Sequence, residues 1–252
     1  MTLADVLART REPLGDSDRA DLLRRALEAT PADDLLRGIK AEAERYVNVD
    51  PDASLRLAEA LLAGAAIAGR PDHRAMGLMA KGDALRCQGK FPQSVGFFDE
   101  AGSAFLAIGD EVGWARTRMG WLYSSYCLGQ GAAALDAVDR AHEILVRHGE
   151  WFRAAGLDAN ASAVASELGR YVQALQYCER ARQSLAHVGE AADLMAARIM
   201  NNQAVILTLL GEFGTALALL GQARETFVRR DQIASALGND ENVANVYAGQ
   251  GH

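Results

Sequence analysis

The chain has 252 residues, a formal net charge of -7 and a hydrophobic fraction of 50%. That apolar content excludes an intrinsically disordered chain, and the acidic balance argues against a nucleic-acid partner held by phosphate contacts. No apolar run is long enough for a membrane span, no signal peptide is visible, and three cysteines give no disulfide framework, so a cytoplasmic protein is expected.

Taken in chain order, residues 18–29 read as an amphipathic helix within an N-terminal helical cap, residues 1–33. Thr30 and Pro31 then read as an N-cap followed by proline at the first helical position, with Asp33 and Asp34 in the first turn. That helix runs to about Val47. Asp50 and Pro51 break it, and residues 53–67 form its partner. Further pairs follow at 72–108, 112–148, 152–188 and 193–229, and a last helix at 233–249 has no partner. No segment sustains the alternation of a strand, so the expectation is an all-α chain. Residues 34–252 hold about five helix pairs and one unpaired helix.

Glycine sets the pairing. Gly69, Gly89, Gly109, Gly129, Gly149, Gly169 and Gly189 recur at one constant step, and the series slips by two to Gly211 and resumes at Gly251. Such spacing has chance odds of about 10⁻⁶ per starting point, so it marks a repeat. Glycine at a helix end fits the left-handed position just past the last turn. Alternate glycines have different neighbours, so the full repeat is two glycine steps, about 40 residues. One class is Gly89, Gly129, Gly169 and Gly211, followed five residues on by a small residue: Ser94, Ala134, Ala174 and Ala216. Four residues later stand Phe98, Val138, Cys178 and Leu220, and three after those stand Ala101, Ala141, Ala181 and Ala223. A small residue lets two helices approach closely, and the bulky one fills the gap beside it. The other class is followed by acid, Asp110, Glu150 and Glu190, suited to the first turn of the next helix. In the first pair Val49 takes the glycine column and Ser54 the small one.

These columns resemble the tetratricopeptide repeat, here in a stretched form. The resemblance implies a right-handed superhelical solenoid of antiparallel helix pairs. The family's first-helix pattern is poorly kept: Gly82 is in register, but Leu78, Arg118, Asp158 and Met200 stand where a tryptophan belongs. Cys87 and Cys127 lie one full repeat apart and read as packing residues, as does Cys178 in the bulky column. No metal-ligand cluster, phosphate-binding glycine loop or nucleophile–base motif is present in the sequence, so no catalytic, cofactor or metal site is expected and the chain reads as no enzyme. Trp114, Trp121, Trp151, Tyr123 and Tyr126 make 114–151 an aromatic centre, read as core packing or as a patch in a peptide groove.

Asn160, Asn202 and Asn242 each precede a turn glycine by nine residues. Asparagine is poor inside a helix, so three in register need a reason. Residues 200–205 resemble the first helix of the repeats in kinesin light chains. In that family an asparagine in this column lines the concave groove and bonds a peptide backbone. The alternative is an asparagine that bonds across to the adjacent helix. The column is absent upstream, where Ala80 and Gly120 stand. By the repeat geometry the first helices' concave face includes Met76, Met79, Asp83, Arg86, Arg116, Met119, Tyr123 and Tyr126. It continues through Asn160, Arg198, Asn201, Asn202, Val205, Thr208 and Asn242.

The resemblance implies a protein–protein interaction scaffold that binds a peptide or partner domain on that face. A second expectation is the sensory front of a larger bacterial enzyme or regulator, because the alanine- and arginine-rich style is similar to repeats preceding caspase-like CHAT peptidase, diguanylate cyclase or LuxR-type output domains. Gly251 and His252 begin a further turn, so the natural chain is expected to continue with an aromatic residue directly after His252 and a small residue three positions later. The lone last helix would expose Val243, Val246 and Tyr247 and self-associate.

Overall fold

The computed structural model describes residues 2–251, without the side chains at 190 and 191. The expectations for Glu190 and for the turn at His252 lie outside the described residues. The helices are α1 (Leu3–Arg11), α2 (Asp16–Ala29), α3 (Ala32–Tyr46), α4 (Pro51–Ala68), α5 (Pro71–Cys87), α6 (Phe91–Ala107), α7 (Glu111–Cys127), α8 (Gly131–Arg147), α9 (Trp151–Glu167), α10 (Tyr171–Leu185), α11 (Asp193–Leu209), α12 (Phe213–Arg229) and α13 (Ile233–Gly249). No strand occurs among the described residues. The helices group into two compact units, Met1–Leu128 and Gly129–His252. In the first, α3 packs on α4, α4 on α5, α5 on α6 and α6 on α7. In the second, α8 packs on α9, and the sequence continues pairwise to α13. First helices also touch one another, α5 with α7 in one unit and α9 with α11 and α11 with α13 in the other.

The turns follow the glycines. Gly69, Gly89, Gly109, Gly129, Gly149, Gly169, Gly189, Gly211 and Gly251 all have positive φ, between 63° and 82°. At Gly89 the next amide, Lys90 N, donates to Leu85 O at 2.9 Å, and Gly89 N donates to Arg86 O at 3.0 Å. These two bonds satisfy carbonyls that the helix end leaves open. The series also holds where glycine is missing. Asp231, one step beyond Gly211, takes φ 53°. Aspartate tolerates that region because its short side chain bonds locally. The two-residue slip before Gly211 is absorbed by a 3-10 turn, Gly189–Ala192.

Three local expectations change. Thr30 does not cap α3. It ends α2, its N–H donating to Ala26 O, and Pro31 takes the N-cap position with no side-chain bond. Val49 is outside the left-handed region, and the α3–α4 turn is closed by the Asp50 carboxylate, which accepts from Ala53 N at 2.9 Å. Helix α1 is an element that the apolar pattern does not single out. Its signal is a capping box: Thr2 Oγ1 accepts from Asp5 N, and the Asp5 carboxylate accepts from Thr2 N. That hydrogen bonding holds the Asp5 carboxyl below its ordinary range.

The small and bulky columns form the inner face of the second helices. Ser94, Ala134, Ala174 and Ala216 are buried, as are Phe98, Val138, Cys178 and Leu220, and Ala101, Ala141, Ala181 and Ala223. Contacts show why the small residues are needed. Ser94 Oγ donates to Gly82 O at 2.9 Å across α5 and α6, and Ser162 Oγ lies 2.9 Å from Cys178 Sγ across α9 and α10. Ala174→Leu or Ala216→Leu is therefore expected to cost about 1–3 kcal/mol through overpacking. The exposed Arg170→Ala should stay within about 0.5 kcal/mol. Urea denaturation of the three variants checks this, and equal midpoints would show that these alanines are not at close helix contacts.

Candidate functional site

In the first unit the expected face divides between core and surface. Met79 is 6% exposed and packs in the core with Ala75, Leu78 and Phe98, so it is withdrawn from any ligand. Met76, Asp83, Arg86, Arg116, Met119 and Tyr126 are half-buried, and Tyr123 is exposed. Arg86 Nε lies 3.7 Å from Asp83 Oδ1. The Tyr123 ring stands edge-on to Phe91 at 6.1 Å and tilted against Tyr126 at 6.5 Å. The Cys127 thiol and burial raise the Tyr123 phenol above its usual range.

Loss of hydration pushes the Asp83 carboxyl up to about 6, against the pull of Arg86 and Lys40. The folded chain then holds this proton more tightly than the unfolded chain does, so stability falls as pH rises from about 4 through 6. Asp83→Asn is expected to raise the melting temperature at pH 7.5 and to change it little at pH 4. A variant that melts below the parent at pH 7.5 would show that the Arg86 pair outweighs the lost hydration.

The aromatic centre resolves into separate tasks. Arg118, buried in the column where the repeat family has a tryptophan, lies between Trp121 and Trp114, 4.6 Å and 5.5 Å from their ring centroids. Its Nη2 donates to Phe98 O at 3.2 Å, and Nη1 lies 3.4 Å from Asp99 Oδ1. Burial lowers its pKa, opposed by Asp99. Trp151, in the second unit, stacks on His187 at 4.1 Å. The same column in the second unit holds the fully buried Asp158, which takes Arg180 in a fork at 3.0 and 2.5 Å, while His142 Nδ1 lies 2.8 Å from Oδ2 without a hydrogen bond. Cys87 and Cys127 are half-buried free thiols and Cys178 is buried.

Asp33, Asp72 and His73 bring ligand atoms within 4.8 Å of one another. Arg70 occupies their charge, pairing with Asp33 and, through Nη2 at 2.8 Å, with Asp72. The group thus holds a guanidinium from the chain itself. Burial lowers the His73 imidazole below its usual range, with Asp72 opposing.

In the second unit, Arg198, Asn201, Asn202 and Asn242 come together. They line a cleft of about 260 Å³ between α11 and α13, with Ser235 and Asn239. Asn202 Nδ2 donates to Ala159 O on α9 at 3.1 Å. Asn201 Oδ1 accepts from Asn242 Nδ2 at 3.1 Å and from Asn239 Nδ2 at 3.2 Å. Thus Asn202 and Asn242 do make the cross-helix bonds of the alternative reading. Each still keeps an amide oxygen with no bond among the described residues, and the Asn201 amide keeps its donors. Asn239 is only 1% exposed, and its Oδ1 is buried without a partner. An adjoining cleft of about 510 Å³ is lined by Val205, Thr208, Phe213, Asn242 and Asn245. Asn160 is half-buried and lines neither cleft. The sequence column missed Asn201 and Asn239 as partners of Asn242. Their signal is that Asn201 precedes Asn239 and Asn242 by close to one repeat.

At Gly120 the break in the asparagine column has a steric cause. A Cβ at Gly120 would lie 2.3 Å from Phe98 Cζ and 3.0 Å from Asp83 Oδ1. The place an asparagine would fill is taken by a ring.

No protein-family model matches the chain, and no curated protein matches it. Solved structures do. BtubC (BKLC) from P. vanneervenii is similar with a TM-score of 0.70 at 17% identity, covering 92% of this chain and 93% of that one. A Rap protein complexed with competence and sporulation factor is similar with a TM-score of 0.63 at 16% identity, over 91% of this chain and 69% of that one. The apo form of RapI gives 0.59 at 14% identity, over 93% and 71%. The chain has a tetratricopeptide-type helical-repeat fold. Within that fold the buried columns of α6, α10 and α12 are the second helices' packing faces, and the clefts beside α11 and α13 lie along first helices. No helix of the described residues is long and apolar enough to cross a membrane.

Proposed function

We propose that the chain is a non-enzymatic protein-interaction scaffold that holds an extended peptide segment along the first helices α11 and α13, in the cytoplasm. The observation that carries this is the asparagine-lined cleft, where a buried Asn239 oxygen lacks a partner and the exposed Arg198 stands at the rim. Amide groups offer donors and acceptors matched to a peptide backbone, which gives affinity with little sequence preference. Arg198 supplies charge selection, favouring an acidic residue in the ligand. A fold neighbour was solved complexed with competence and sporulation factor, which supports binding by a chain of this fold. The aromatic group at Tyr123 and Tyr126 is a second contact surface in the same reading.

The test is selection from a random peptide library against the intact chain, with melting measured beside affinity. Arg198→Glu should weaken selected peptides tenfold or more and leave melting unchanged. Asn202→Ala should lower both, by about 0.5–1.5 kcal/mol each, because its amide bonds Ala159 O and faces the cleft. Selected peptides that bind the Arg198→Glu and Asn202→Ala variants as tightly as the parent would overturn the assignment.

A further inference from the structure

One place beside the first helices is filled by the chain's own ring in the first unit and left open in the second. In the first unit the Phe91 ring, at the start of α6, meets the Tyr123 ring of α7 edge-on at 6.1 Å. Tyr123 and Cys127 follow Phe91 by 32 and 36 residues, and Asn245 and Gly249 follow Phe213 by the same counts. Where Tyr123 meets Phe91, the second unit has the cleft of about 510 Å³, lined by Val205, Thr208, Leu209, Phe213, Asn245 and Gly249. A Cβ at Gly249 would lie 3.0 Å from Phe213 Cε1, so α13 has little room there for the side chain that Cys127 carries on α7. Phe213 is half-buried, and Asn245 and Leu209 are exposed. The Thr208 hydroxyl is spent on its own helix, donating to Ala204 O at 2.8 Å. The α13 wall is packed in place. Ala236 and Val246 are buried against residues of α11 and α12, so Val246 is core, contrary to its expected exposure.

We infer that this cleft takes a single-ring aromatic side chain, phenylalanine or tyrosine, from the peptide held by the asparagine cleft, its ring standing to Phe213 as Tyr123 stands to Phe91. This rests on the scaffold reading of α11 and α13, and it names the residue that gives the ligand its specificity. The occupant's chemistry follows from the lining. Val205, Leu209 and the Phe213 ring disfavour a charged side chain, which would lose its hydration there without a counter-charge. An aromatic ring gains an edge-on contact with Phe213 beyond the apolar area it covers, as the Phe91–Tyr123 pair does in the first unit. Asn242 lines both clefts, so one extended chain spans them. The register is set by α11. Arg198 precedes Val205 and Leu209 by 7 and 11 residues, which on a helix is about 10–16 Å. An extended peptide advances about 3.3 Å per residue, so the aromatic residue stands about three to five residues from the acidic residue that faces Arg198.

The probe is a random peptide library selected against the intact chain, and each selected peptide is then remade with its aromatic residue changed to alanine. Selection should enrich phenylalanine or tyrosine at that spacing from an acidic residue, and the alanine version should bind the parent tenfold or more weakly. Asn245→Tyr places in the second unit the ring that Tyr123 supplies in the first. It should weaken the aromatic peptides tenfold or more and abolish the difference between them and their alanine versions. Because Asn245 is exposed, its melting temperature should not fall, which shows that the loss is local. Peptides that lose affinity with Arg198→Glu but carry no aromatic residue at that spacing would overturn the inference and leave the scaffold reading standing. So would aromatic peptides that bind Asn245→Tyr as tightly as the parent. A library that yields no binder, or binders indifferent to Arg198→Glu, would overturn both.

Discussion

Asp158→Ala is expected to destabilise the second unit by about 3–5 kcal/mol, the largest effect of any single polar substitution in it. Asp158 is fully buried on α9, in a column where the repeat family has a large aromatic side chain. Its carboxylate takes Arg180 Nε at 3.0 Å and Nη2 at 2.5 Å. The Tyr177 ring covers the guanidinium at 5.0 Å. Removing the carboxylate leaves Arg180 half-buried without its main counter-charge. Asp139, which bonds the same guanidinium at 2.7 Å from an exposed position, should matter far less. Asp139→Ala is expected to cost about 0.2–1 kcal/mol, as surface pairs do. Paired urea titrations decide the point. Equal losses in the two variants would show that the buried fork adds nothing over the exposed one.

Phe98→Ala should cost a similar amount, about 3–5 kcal/mol, in the first unit. Phe98 is a fully buried aromatic and sits against two glycines on two different helices. A Cβ at Gly82 would lie 3.0 Å from the ring, and one at Gly120 would lie 2.3 Å from it. The backbones of α5 and α7 therefore approach the ring as closely as glycine allows. Deleting the ring removes contacts that neither glycine can replace with a side chain of its own. Gly120→Asn, which would complete the upstream asparagine column, should destabilise strongly for the reciprocal reason. A thermal melt of the two variants checks both, and an unperturbed Gly120→Asn would show that Phe98 can move aside.

Backbone features were the most legible part of the sequence. Gly89, Gly109 and their successors mark positions where only a residue without a Cβ adopts positive φ freely, so the residue type reports the turn directly. The alanine columns were legible for a related reason: a helix crossing excludes volume at fixed spacing, and that requirement is local to each repeat. Asp231 escaped the glycine pattern, although it holds the same conformation, because a tolerated residue carries a weaker mark than a required one. Helix α1 escaped because its evidence was a two-residue capping box instead of an apolar stripe.

Only the tertiary structure decided the partners of the polar side chains. Arg118 finds two tryptophan rings, Asp158 finds Arg180 on the following helix, and Asn201 gathers Asn239 and Asn242 from the next first helix. Met79, expected on a ligand face, turns into the core beside Phe98. Each outcome depends on the rotation and offset of one helix against another, to within the few tenths of an ångström that make or break a hydrogen bond. Repeat register fixes which residues are equivalent along the chain. It does not fix which side chains meet between helices, because those distances are set by the packed volumes of all the residues around them.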